Sequence, residues 1–134
     1  MKGQPRVVAV VDDEADVLRA LRRLLRSEGF DVLVYESGLD FMKDFGTSDL
    51  DCLVVDLHMP QMTGFDVLEA LRDLPDDPER PPVIVLTGND TPTGRARALG
   101  GGAHSYLCKP TDADVLIQAI NAAIDQRANP AQPT

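Results

Sequence analysis

The chain has 134 residues, 43% of them hydrophobic, which suits one domain with its own core and no need of metal or disulfide staples. A net charge of −9 argues against a surface that binds nucleic acid or an anionic membrane directly. No segment has the apolar length of a membrane span and the opening MKGQPR lacks a signal-peptide core, so the expectation is a cytoplasmic protein whose two cysteines, Cys52 and Cys108, are reduced thiols in buried strands.

The pattern alternates strand and helix. RVVAVV (6–11) is a β-branched run, and residues 14–28 follow with Val17, Leu18, Leu21, Leu24 and Leu25 on one helical face, arginines on the other and Gly29 as the stop. DVLVYE (31–36) is a second strand. Ser37 with Asp40 has the spacing of a capping box for a short helix carrying Leu39, Met42 and Phe45. CLVV (52–55) is the third strand, and Thr63 with Asp66 opens a helix with Val67, Leu68 and Leu71. PDDPERPP (75–82) reads as a surface loop and VIVL (83–86) as the fourth strand. Thr91-Pro92 starts a weak helix, with Gly94 inside it and three glycines, 100–102, at its end. SYLC (105–108) is the fifth strand, and Thr111 with Asp114 caps a last helix bearing Leu116, Ile117, Ile120, Ala123 and Ile124. The expected division is a domain over 1–127 and a disordered tail or start of a linker over 128–134.

Five such βα units with near-continuous apolar strands predict an α/β fold, a doubly wound parallel sheet in the order 2-1-3-4-5 with helices on both faces. All strand carboxyl ends then share one edge, and ligands bind where the strand order reverses. The first strand ends on Asp12-Asp13, the third on Asp56, the fourth on Thr87 and the fifth on Lys109. Singly, each has a bland reading: a cap, a turn, a surface lysine. Jointly they put three carboxylates, a hydroxyl and an ammonium in one crevice. The carboxylates repel, by about 1 kcal/mol per pair at ~4 Å even in water. An all-oxygen set without His or Cys suits Mg²⁺ or Mn²⁺ rather than zinc. Cation and lysine together make a pocket for a dianion such as a phosphoryl group, with Asp56 central enough to attack it.

The motifs VVDDE, VVDLHMPQMTGFDVL, VIVLTG and RALGGGAHSYLCKPTDADVLIQAI resemble those of the receiver domains of two-component response regulators, over about residues 6–126. The resemblance implies that Asp56 is the phosphoacceptor, charged by a phosphohistidine on a sensor histidine kinase or a histidine phosphotransfer protein. It implies an acidic pair in Asp12 and Asp13, and metal ligation by Asp13, Asp56 and the backbone carbonyl of His58. Thr87 and Lys109 would hold the phosphoryl oxygens, Thr87 and Tyr106 would act as the switch, and Lys109-Pro110 would be cis. His58 and Asn89 stand two residues after Asp56 and Thr87, where the family tunes the phosphoryl lifetime. The resemblance further implies a switching face on the fourth helix, fifth strand and fifth helix, meeting an output domain or a second copy. Gly88 departs from the family's commoner alanine. Two other readings stand beside this one. A haloacid dehalogenase-type phosphatase also uses a strand-end Asp, but it needs a second carboxylate where His58 stands. A degenerate receiver serving only as a scaffold would not keep every site residue.

Overall fold

The computed structural model describes residues 5–47, 49–74 and 80–128. Positions 75–79 of the expected surface loop and 129–134 of the expected tail lie outside the described residues. Five strands, β1 (Val7–Val11), β2 (Asp31–Tyr35), β3 (Cys52–Val55), β4 (Val83–Thr87) and β5 (Ser105–Cys108), alternate with five helices. The helices are α1 (Ala15–Ser27), α2 (Gly38–Asp44), α3 (Gly64–Arg72), α4 (Pro92–Gly100) and α5 (Ala113–Ala128). The strands form one parallel sheet in the expected order, β2-β1-β3-β4-β5.

The two-residue period of the strands divides the core into two layers. Ala9, Val11, Leu53, Val55, Val83 and Val85 face α2, α3 and α4, where Phe41, Val67, Leu68, Leu71 and Ala98 meet them. Val8, Val10, Cys52, Val54, Ile84 and Leu86 face α1 and α5, meeting Leu18, Leu25, Leu116, Ile120, Ala123 and Ile124. Strands with apolar residues at every position are thus explained: each is covered on both sides.

Local signals set the helix ends. Thr63 and Asp66 form a full capping box at α3, the Thr63 hydroxyl accepting from the Asp66 amide at 3.1 Å and the Asp66 carboxylate from the Thr63 amide at 2.9 Å. Gly29 follows α1 at φ +94°, a conformation costly for any residue with a Cβ.

Three expectations are corrected. Leu39 does not join the core: it is 46% exposed, while Phe41 is 1% exposed and stacks edge-on against Tyr35. At 100° per residue the buried stripe of α2 runs through Phe41, Met42 and Phe45, and Leu39 lies more than ~100° off its centre. The last helix begins at Ala113, and the Asp112 carbonyl accepts its first bond, from Leu116, so the cap position is Asp112 rather than Thr111. Cys52 is fully buried, its thiol pushed up to about 12 by burial, but Cys108 is only half-buried because β5 is a sheet edge.

Candidate functional site

The backbone brings the strand ends to one point. The Asp56 amide donates to the Val11 carbonyl at 3.0 Å, so β3 delivers Asp56 beside the Asp12-Asp13 pair that follows β1. The Lys109 amide donates to the Thr87 carbonyl at 2.7 Å, which ties the residue after β5 to the end of β4. The bond from Lys109 to Pro110 is cis.

The side chains converge as the strand order requires. Asp12, Asp13 and Asp56 each offer a carboxylate oxygen, and these oxygens lie within 4.8 Å of one another. Asp12 and Asp56 are 2% and 6% exposed, whereas Asp13 faces solvent. The Lys109 ammonium donates to Asp12 Oδ2 at 2.7 Å and stands 3.8 Å from Asp56 Oδ2 and 3.4 Å from Glu14 Oε1. Asp12 Oδ1 also accepts the Glu14 amide at 2.9 Å. Thr87 is fully buried, and its Oγ1 accepts the Asn89 amide at 3.2 Å, which leaves its own hydroxyl hydrogen free to donate.

These surroundings set the charges. Burial raises the pKa of Asp56, Lys109 opposes the rise, and the neighbouring Asp12 and Asp13 charges add to it. Burial lowers that of Lys109, but its hydrogen bond to Asp12 and the charges of Asp56 and Asp12 outweigh burial and hold it above its ordinary value. One ammonium among three clustered carboxylates leaves the group net negative. An all-oxygen donor set of that charge, with one solvent-facing member, fits a hard divalent cation.

The remaining expected residues lie around this centre. His58 is exposed in the β3–α3 loop, and its amide points at Asp56 Oδ1 over a long 3.5 Å. Asn89 is exposed just past β4. Tyr106 stands apart from the carboxylates, already buried in the core on the α4 side, with the Arg95 guanidinium 5.2 Å from its ring centre. Its hydroxyl is buried and makes no hydrogen bond of good geometry among the described residues; burial first, then the Asp90 carboxylate lying close to it, raises its pKa.

Sequence reasoning missed two contributors. Glu14 reaches Lys109, although VVDDE marked it only as the start of a helix. Gly64 lets α3 pack against the β3–α3 loop: a Cβ there would collide with the Asp56 carbonyl oxygen and lie 2.8 Å from Leu57 Cα. Its signal was a glycine directly after the Thr63 cap, where a side chain would ordinarily be tolerated.

Comparison with known proteins identifies the family. The family model described as response regulator receiver domain matches residues 8–121. This chain belongs to the response regulator receiver domain family. The receiver is 34% identical over 133 residues to the response regulator protein TodT of Pseudomonas putida, covering 96% of this chain and 57% of that protein. It is 35% identical over 127 residues to the transcriptional regulatory protein PrrA of Mycobacterium tuberculosis, covering 95% of this chain and 53% of that one. The receiver therefore spans little more than half the length of these relatives. Among solved structures, a receiver domain from Clostridium thermocellum superposes with a TM-score of 0.83 at 30% identity, covering 92% of this chain and 97% of that one. A CheY-like receiver from Methanospirillum hungatei gives 0.86 at 21% identity, covering 94% and 98%, and speaks to the fold alone. Among the described residues no helix is long and apolar enough to cross a membrane.

Proposed function

We propose that Asp56 is the phosphoacceptor of this receiver and takes its phosphoryl group from a phosphohistidine on a sensor histidine kinase or a histidine phosphotransfer protein. The observation that carries this is the meeting of Asp12, Asp13 and Asp56 oxygens within 4.8 Å beside the Lys109 ammonium. Asp56 attacks phosphorus through a carboxylate oxygen; the bond from phosphorus to the donor imidazole nitrogen breaks, and its electron pair returns to the imidazole. Lys109 moves from the carboxylates to the arriving phosphoryl oxygens, and the Thr87 hydroxyl donates its free hydrogen to another. Asp12, Asp13, Asp56 and the His58 backbone carbonyl would hold Mg²⁺ or Mn²⁺, which supplies neutralisation of the phosphoryl charge. The chemistry ends there, at self-phosphorylation and self-dephosphorylation. His58 and Asn89, exposed at the rim, tune the lifetime by governing access of water.

The output is a change of protein contacts on α4, β5 and α5, through a homodimer or an attached domain, with no direct nucleic-acid or membrane contact by this domain and a cytoplasmic setting. Thr87 and Tyr106 link site to face. Tyr106 already lies inward, so the switch consists of fixing the ring and its hydroxyl in one arrangement rather than swinging it in from solvent. Beryllofluoride, a phosphoryl mimic, tests the reading: with Mg²⁺ it shifts amide NMR signals across residues 88–108. Shifts confined to the loops of Asp13, Asp56 and Lys109 would mean that binding is not transmitted.

A further inference from the structure

Glu14 has no assigned part in the reaction above, yet it is built into the site. It occupies the N-cap of α1, but its side chain makes no capping bond. Glutamate is not a favoured N-cap, so helix initiation does not account for it. Its amide is held by Asp12 Oδ1 at 2.9 Å, and its carboxylate, 64% exposed at the rim, stands 3.4 Å from the Lys109 ammonium. Lys109 is therefore shared by Asp12 at 2.7 Å, Glu14 at 3.4 Å and Asp56 at 3.8 Å.

We propose that Glu14 is a positioning residue that restrains phosphorylation by holding Lys109 in the unphosphorylated arrangement. The inference rests on the phosphoacceptor reading. In the phosphotransfer step Lys109 turns to the phosphoryl oxygens. Glu14 then loses its cation and faces a new dianion across the rim. Both effects favour the unphosphorylated state, and the second also repels an anionic donor on approach. The site thus carries one more carboxylate than metal ligation uses, set where it opposes spontaneous charging by small phosphodonors.

The experiment compares wild type, Glu14→Gln and Glu14→Asp, each charged by acetyl phosphate at saturating Mg²⁺ and followed by intact mass. Glu14→Gln keeps the shape and removes the charge. Its rate should rise roughly five-fold at low salt, the factor given by one like-charge repulsion of aqueous strength at about 4 Å. The ratio should fall toward one in high salt, which a merely structural role would not produce. Glu14→Asp keeps the charge and should stay near wild type. An unchanged or slower Glu14→Gln at low salt, or a salt-independent ratio, overturns the proposal alone. A wild type that takes up no phosphoryl group on Asp56 overturns the phosphoacceptor reading and this proposal with it.

Discussion

At the scale of single residues, the proposed attack needs Asp56 ionised, yet burial raises its pKa above the ordinary 3.8, with Asp12 and Asp13 adding to the rise. A carboxyl raised in the folded state binds its proton more tightly there than in the unfolded chain. Stability therefore falls as pH rises from 3.8 through the folded value, and the cost persists at neutral pH. Asp56→Asn should raise the melting temperature at pH 7, and the gain should vanish below about pH 3.8. Thermal melts across pH check this, and a melting temperature lowered at pH 7 would contradict it. Metal binding separates the remaining charges. Asp13→Ala should abolish measurable Mg²⁺ binding by calorimetry near neutral pH, while Lys109→Ala leaves it largely intact; a loss in Lys109→Ala would reassign that residue. The convergence of these groups was legible because each stands at the end of an apolar run. Glu14 and Gly64 were not, because their roles depend on a reach of 3.4 Å to Lys109 and on a close approach to the Asp56 carbonyl that leaves no room for a Cβ, which no spacing in the sequence encodes.

At the scale of elements, legibility followed the strength of the local signal. The α3 start could be read because a capping box is complete within four residues. The face of α2 could not, because a helix of seven residues gives too few turns to average out one misplaced leucine. Phe41→Ala should therefore cost about 3–5 kcal/mol, as a fully buried aromatic does, whereas Leu39→Ala should stay within about 0.5 kcal/mol. Urea titrations of the two variants decide it, and equal costs would mean that the helix face is misassigned. The α4 helix is the weakly held element. Ala98 is its one buried residue, and Gly94 lies within it, where a glycine costs about 1 kcal/mol relative to alanine. By contrast α5 buries Leu116, Ile120, Ala123 and Ile124. Amide hydrogens of α4 should exchange with deuterium well before those of α5, since few buried contacts mean a small opening free energy. Protection of α4 equal to that of α5 would remove the physical basis for a switch on that side of the molecule.

At the scale of the whole molecule, a parallel sheet with both faces covered leaves one edge where ionisable groups can gather, and the order β2-β1-β3-β4-β5 puts the reversal between Asp12-Asp13 and Asp56. The topology was legible because five apolar strands alternating with helices admit few right-handed arrangements. The depth of burial of Tyr106 was not, because the strand period sets only its side, shared with Val85, while its cover depends on how α4 packs over the sheet edge. The central claim is that this edge exists to charge one residue. The measurement that tests it most directly is the intact mass of wild type and Asp56→Asn after incubation with acetyl phosphate and Mg²⁺. Wild type should gain the mass of one phosphoryl group and Asp56→Asn none; an Asp56→Asn protein that gains it at the wild-type rate would contradict the account.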